Sequence, residues 1–479
     1  MKKNWEAVLV EDKALLTKFG IDKMIDSIEA FLLQGAMTAS VVTVRPIAID
    51  ESKESQKIES VLLQDSEGVL QVIFPKNCFI DLQSISDCLG RNLQLAQSKI
   101  ESSLIQKLGG NKVVSLPSFL DIPCLLDAKV LDFSELVLEL EPRVELCISQ
   151  ADFGKLIKTS QVAEFAHPVK KYTSKVEVLD DKGAIAHAVT SFTVLRVKQR
   201  LEDTLEIPPM PDSAGQIIKL RVDPNATISE LVKIVERDPS LAAQVVSWAA
   251  SPYYGVVGKI KSVQDAILRV LGFDLVVNLA LGLSLGRSLK LPTNGPRNTM
   301  PYWERSVFSA ALVEALVKQM PAKSRPSMGL AYLCGLLHNF GYLLLSFVFP
   351  PHFVVISRNL EINRHIHHSV IEKFLIGVTR EQVSSWLMDV WNMPEEISLA
   401  LRWQHLPEYK GVHFIYPNLL FIVNKVLDLK SAHRPLDELL QYKNILDRLQ
   451  LKPEAVLSAA EEIFNKEREI RSMATNFGG

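Results

Sequence analysis

Between Gly329 and Phe349 the chain runs for 21 residues without a lysine, arginine, aspartate or glutamate. A run of that length and composition can be housed either in a bilayer or in the interior of a sizeable helical domain. Two features favour the interior. His338, Asn339 and Gly341 sit mid-run, and Pro350-Pro351 ends it with no basic anchor close behind. A helix that is apolar all round is a core helix, so the run predicts one over 329–348, buried in a large α domain, with no membrane association.

Composition sets the outer limits. A chain of 479 residues, 47% of them hydrophobic, has material for two or three domains with their own cores. A net charge of −2 and a pI near 6.6 speak against a dedicated nucleic-acid binder. The five cysteines are odd in number and form no C-x-x-C pair, which points to a reducing cytoplasm and away from a disulfide framework or a zinc site. The opening Met1-Lys-Lys-Asn-Trp-Glu-Ala7 lacks an apolar stretch followed by a small-residue cleavage site, so no secretory signal is expected and the expected location is cytoplasmic.

The first 155 residues are α+β in character. Ser40–Arg45, Ser60–Gln64 and Val69–Phe74 are rich in β-branched residues, and Asp65-Ser-Glu-Gly68 between the last two is a hairpin turn signal. Leu82–Leu89 spaces its apolar residues at helical steps and meets a stop at Gly90. Leu136–Leu140 and Val144–Ile148 are further strand candidates. This half is acidic, with 16 Lys and Arg against 23 Asp and Glu.

Residues 158–206 read as a helical connector, with Ile185, Val189, Phe192, Leu195 and Leu201 suited to one helix face. The prolines of Ile207-Pro-Pro-Met-Pro211 then force an extended entry. Beyond them strands disappear. Ile228, Leu231, Ile234 and Val235 mark one amphipathic helix. Asp238-Pro239 opens the next as N-cap and first helical residue, and Leu241, Val245 and Trp248 continue its apolar face. Ala266–Leu271 stops at Gly272. Helical patterns follow over 303–319, 381–391 and 394–405.

Taken in order, several strings resemble the HDOD domain, the HD-related output domain of bacterial signalling proteins. They are Ile207–Pro211, Ile234-Val-Glu-Arg-Asp-Pro-Ser-Leu-Ala-Ala-Gln-Val-Val246, Ile260–Gly272, Trp303-Glu-Arg-Ser306, Leu336-Leu-His-Asn-Phe-Gly341 and Trp391-Asn-Met-Pro-Glu-Glu-Ile397. The resemblance implies an all-α HDOD domain over 207–430, followed by a helical extension over 431–479. It also implies a non-enzymatic regulatory or scaffolding role. HD enzymes hold metal with a His, an adjacent His-Asp pair and a distant Asp. The matching positions here are Arg305, His338, Asn339 and Asn424, of which only His338 is a competent ligand, and Arg305 brings a fixed positive charge. The family's additional histidine positions fall near Arg380 and Gln404-His405. Glu304 and the dense run His365-Ile-His367-His368 could supply another set of ligands, but Asn363 and Arg364 beside that run make a solvated loop or helix face the expectation. No metal and no cofactor are expected.

Residues 25–157, within an N-terminal domain of 1–157, are similar to the YbaK family, the editing domain associated with prolyl-tRNA synthetase. Val61–Pro75, Ile80-Asp-Leu82, Cys88-Leu-Gly90, Val114–Phe119, Ile122–Asp127 and Leu146–Phe153 carry the likeness. Here too the working residues are replaced. Glu59 stands at the position of the family's catalytic lysine, with Lys57 two residues away on the same strand face. In the family's Gly-x-x-x-Pro loop, Pro117 is retained but Val113 replaces the glycine; Gly109-Gly110 lies upstream. An acidic half opposes binding a polyanion, so tRNA is not an expected partner.

The expected protein is therefore multidomain: an α+β YbaK-like module followed by an all-α HDOD module. It works as a non-catalytic bacterial signal-transduction protein that binds signalling proteins and, at its N-terminal module, a small-molecule or aminoacyl ligand or a partner. Self-association into a homodimer is left open. Two enzymatic alternatives are an aminoacyl-tRNA deacylase using Lys57 with an appended regulatory domain, and a divergent HD phosphohydrolase with ligands converging near His338.

Overall fold

Alternation of side chains along a strand becomes two packed faces in the N-terminal part of the molecule. The protein is described by a computed structural model over residues 22–34, 39–43, 56–108, 113–141, 144–173, 181–197 and 208–475; Gly109, Gly110, Leu201 and Ile207 lie outside the described residues. Strand β1 is Ala39–Thr43, and β2 (Lys57–Gln64) and β3 (Val69–Pro75) form a hairpin with Val61 opposite Val72. The turn closes through Asp65 N–H to the Gly68 carbonyl at 3.2 Å, and Gly68 takes φ +131°, which disfavours any side chain. Then come β4 (Cys78–Ile80), β5 (Gln94–Leu95), β6 (Cys124–Asp127), β7 (Glu135–Glu141), β8 (Val144–Ser149), β9 (Gln161–Ala163) and β10 (Ala166–Pro168).

The main sheet runs β1-β8-β7-β2-β3-β6-β9, with β5 paired to β2, while β4 and β10 pair separately. On one face Ile58, Ile73, Leu126, Leu138, Leu146 and Ile148 pack with Met24, Ile28 and Leu32 of the helix Asp22–Gln34 and with Phe153 of Gln150–Leu156. On the other, Leu63, Leu70, Val72, Phe74 and Leu125 pack with Ile80, Ile85 and Phe165. The helix Leu82–Leu89 ends as its sequence indicates, with Gly90 at φ +65°.

The connector expected over 158–206 is corrected in its first part. Residues 161–163 are strand β9, parallel to β6, because the buried Asp127 carboxylate accepts from the N–H groups of both Phe165 and Ala166 at 2.8 Å and fixes the chain beside the sheet. The helix itself is Asp181–Val197.

From residue 208 onward the described chain is helical, as expected. The Thr227–Glu230 capping box opens Ile228–Glu236. Asp238 accepts from the N–H of Ser240 and of Leu241 at the start of Pro239–Ala249, the cap read from its sequence. Gly272, at φ +78°, ends a π-helical turn over Ile267–Leu271. The centre of this region holds Phe273–Gly286, Tyr302–Gln319 and Met328–Leu337, nearly all buried. Gly335 lets the last two approach closely: a Cβ there would lie 2.7 Å from the Ala310 Cα.

The long helix expected over 329–348 is two, Met328–Leu337 and Phe340–Val348, broken at His338-Asn339. The run is long and apolar enough to cross a bilayer, and 72% of its most apolar window is buried inside the structure. A second correction concerns domain bounds. The chain divides into two compact units, and Gly295–Asn298 and Val354–Leu375 belong with the sheet rather than with the helices that flank them in sequence. The expected 207–430 domain is thus not one body.

Candidate functional site

The break at His338-Asn339 places the HD-like positions. Without a continuing helix, the His338 carbonyl is taken by the Gln404 amide at 2.7 Å, and Gln404 also donates to the Leu401 carbonyl at 3.1 Å. Gln404 in turn accepts from Asn424 Nδ2 at 3.0 Å, and Asn424 Oδ1 faces Arg305 Nη2 at 3.5 Å. Arg305 then pairs with Asp428 at 2.8 Å. Four of these five residues lie at positions singled out from sequence; Asp428, one helical turn beyond Asn424, was not among them.

His338 is 5% exposed. Its Nδ1 lies 2.8 Å from the Gly335 carbonyl, which can only accept, so Nδ1 carries the proton and Nε2 presents a lone pair. That Nε2 is buried and has no hydrogen-bond partner among the described residues. Burial first, and the nearby Arg305 charge second, push the imidazole down to about 3, so His338 is neutral at physiological pH.

Asn339 is held apart from the other HD-like positions. Its Oδ1 accepts from Arg380 Nη1 at 3.1 Å, not from Arg305, and the Arg380 guanidinium lies 5.4 Å from the centre of the Tyr342 ring. Gly341 explains the approach: a Cβ would sit 2.0 Å from the Arg380 carbonyl oxygen. His405, the other retained family position, pairs with Glu381 at 3.5 Å.

A divalent cation does not fit this set. It offers one neutral nitrogen, amide oxygens already engaged by Arg305 and Arg380, and a guanidinium where a second anionic ligand would be needed. Glu304 faces Arg471 at 3.7 Å. The histidine run is not the solvated face its polar neighbours suggested. His365 Nε2 bonds the Cys78 carbonyl at 2.9 Å, His367 Nδ1 meets Ser369 Oγ at 2.8 Å, and His365 to His368 are all half-buried.

In the sheet unit, Lys57 is buried and ion-paired with Glu145 of β8 at 2.9 Å. Lys57 and Glu59 share a strand face, as spacing requires, but Glu59 turns back on the Ser60 N–H at 3.3 Å. Lys76 and Glu139 form a second pair nearby. Val113 and Pro117 are both buried, Val113 against Leu62 and Ala96. Between them the Val114 carbonyl accepts from Gln71 Nε2 at 2.8 Å, and Ser115 bonds Ser60 at 3.0 Å. The loop from Val113 to Pro117 is thus packed and bonded to the sheet. Glu145 was missed from sequence; its isolated position among apolar residues, Val144-Glu-Leu-Cys-Ile148, was the available signal.

The HDOD domain family matches residues 207–407. Across nearly its whole length the chain is similar to a proposed signal transduction protein from Marinobacter aquaeolei VT8, with 39% identity, 95% of this chain and 99% of that chain covered, and a TM-score of 0.85. An uncharacterized protein of Treponema pallidum (strain Nichols) is 24% identical over 219 residues, spanning 45% of this chain and only 41% of that relative. A proposed trans-editing enzyme for prolyl tRNA synthetase covers 30% of this chain and 98% of its own at 16% identity and a TM-score of 0.25.

Proposed function

The chain belongs to the HDOD family, and from that premise we propose that it is a regulatory signal-transduction protein that works by binding rather than by catalysis. The observation that carries this is the chain of bonds His338–Gln404–Asn424–Arg305–Asp428, with Asn339 held by Arg380. Where an HD enzyme presents anionic ligands, this protein presents amides and guanidinium groups that satisfy one another. Such a network ties these residues to one another and pairs its one carboxylate, Asp428, with Arg305 rather than leaving it to hold a cation or to lower the pKa of a bound water.

On this reading the helical unit docks a signalling protein, and the sheet unit receives a ligand or a second partner. The Lys57–Glu145 pair supports a non-catalytic sheet unit, because a lysine neutralised by a buried carboxylate is a poor contact for an acyl ester. Buried free thiols support a reducing, cytoplasmic setting: burial pushes Cys78 and Cys124 up to about 11, making them inert.

The test combines chemistry and association. Protein purified without chelator is assayed for iron, manganese and zinc, for hydrolysis of phosphodiesters and for deacylation of mischarged Ala- and Cys-tRNA. The expected result is substoichiometric metal, turnover at the buffer rate, and a stoichiometric companion on purification from the native cell. Metal-dependent turnover abolished by His338→Ala would overturn the proposal, as would tRNA deacylation abolished by Lys57→Ala.

A further inference from the structure

Within the helical unit the C-terminal extension borders a cavity. Tyr302–Gln319, inside the stretch that matches the HDOD family, packs with Pro453–Asn465, which lies beyond it, and the Phe308 and Phe464 rings meet at 6.2 Å. The short helical turn Pro252–Tyr254 ends at Gly255, at φ +61°, and sets the Tyr253 and Tyr254 rings edge to face with centres 4.9 Å apart. Residues of these three elements line about 200 Å³ of space. None of them belongs to the His338–Asp428 chain of bonds.

The lining is partly apolar, through Ala315, Ala459, Ile463 and the two tyrosine rings. The rest is charged. Lys318 pairs with Glu314 at 2.7 Å, and Lys466 pairs with Glu462 at 2.8 Å while its ammonium lies 5.3 Å from the centre of the Tyr253 ring. Glu314, 4% exposed, is the most buried of these four. One of its oxygens is taken by Lys318. The other, Oε2, is buried and has no hydrogen-bond partner among the described residues, which is costly for a carboxylate. Its place beside the cavity shows at Tyr253, whose hydroxyl is pushed well above its ordinary range by burial first and then by the charges of Glu314 and Glu462.

Two requirements on an occupant follow. Glu314 Oε2 lacks a donor, and an ammonium is the donor that a carboxylate favours most. An ammonium alone, however, would sit near Lys318 and Lys466 with no anion of its own to offset them, and a carboxylate alone would face Glu314. A molecule that carries both charges a few ångströms apart answers both requirements. The exposed Lys466–Glu462 pair can exchange partners at little cost. The cavity is also smaller than the roughly 300–1,000 Å³ of sites for drug-sized ligands, so its occupant is small.

We propose that this cavity binds a small aliphatic α-amino acid. The ammonium bonds Glu314, the carboxylate is taken by Lys466, and the side chain lies against Ala315, Ala459 and Ile463. The helical unit then has a small-molecule ligand of its own, besides the docking role proposed for it.

Methyl NMR on the full chain, titrated with L-alanine, L-valine, propionate and ethylamine, tests this. The two amino acids, at millimolar concentration, are expected to shift the Ala315, Ala459 and Ile463 methyl resonances saturably. Propionate and ethylamine, each with only one of the two charges, should leave them in place. Glu314→Gln keeps the side-chain shape and should weaken amino-acid binding about tenfold or more; Lys466→Met, at the exposed rim, should weaken it about threefold to tenfold. Should the Glu314 variant fold poorly, Lys466→Met and the singly charged probes still decide. Unmoved methyls with both amino acids would overturn the proposal, as would equal shifts with ethylamine or propionate. Binding that survives the substitutions unchanged, or that moves only methyls of the sheet unit, would place the amino acid elsewhere and overturn it equally.

Discussion

The two regions that resemble enzymes replace the residues of those enzymes in physically different ways. In the helical unit the anionic ligands are gone from the HD-like positions: amides stand at two, an arginine at a third, and the sole remaining ligand is a neutral histidine. In the sheet unit a lysine remains and is cancelled by a carboxylate of β8, on the far side of β7 in the same sheet. Substitution leaves a network of amide and guanidinium hydrogen bonds, ending in the half-exposed Arg305–Asp428 pair, whose members each matter modestly. Cancellation leaves a buried ion pair in which each partner depends strongly on the other. The first design tolerates single changes; the second does not.

The largest effect expected follows from that contrast. Lys57→Met removes the ammonium that the buried Glu145 faces and should cost about 3–5 kcal/mol in urea unfolding. Lys57→Met combined with Glu145→Leu should recover most of that loss, because a well-packed apolar pair replaces a buried ion pair at little net cost. If the single change proves nearly neutral, Lys57 and Glu145 are not the mutually dependent pair the comparison requires.

His338 gives an intermediate effect with a defined pH dependence. Its folded pKa of about 3 lies below the unfolded value near 6.5, so the unfolded chain binds the extra proton between those limits. The stability from keeping His338 neutral is fully present above pH 6.5 and is lost as pH falls towards 3. Between pH 6.5 and 5 the loss is about 2 kcal/mol. In His338→Gln that part of the acid-side slope should vanish, leaving a flatter profile of unfolding midpoint against pH. Parallel profiles for the two proteins would place His338 in contact with water.

How far these sites were legible in sequence depended on the range of the interaction. Signals acting over one turn were accurate: Asp238 capping Pro239–Ala249, Gly90 ending Leu82–Leu89, and the Asp65–Gly68 turn. The HD-like positions were legible as residue types; His338 and Asn424 meet at Gln404, whereas Asn339 is held apart by Arg380. What escaped were polar residues whose partners are backbone groups far away. Asn363 beside three histidines reads as solvent-facing, and nothing local announces that its amide matches Ile80, 283 residues earlier. Strand β9, at three residues, is too short for alternation to register. The break at His338-Asn339 is flanked by apolar residues on both sides, so periodicity could not locate it; the Gly341 contact with Arg380 and the Gln404 bond set it.

The smallest effect sharpens the comparison most. Asn339→Asp restores the acidic type of the HD motif in a half-buried position whose oxygen already faces Arg380 Nη1 at 3.1 Å. Beside Arg305 alone the new carboxylate would be costly to bury. Beside Arg380 it gains a charge-assisted hydrogen bond in place of a neutral-acceptor one, so the variant should match or exceed wild-type stability by about 0.5–1 kcal/mol. Manganese should add nothing to its melting temperature. His338 Nε2 and one carboxylate already claimed by Arg380 make two donors at most, and Arg305 keeps its charge nearby. A destabilised variant would mean that Arg380 does not hold this position in solution. A manganese-dependent rise in melting temperature would mean that the helical site, like the lysine of the sheet unit, is masked rather than dismantled, and the distinction between the two regions would fall.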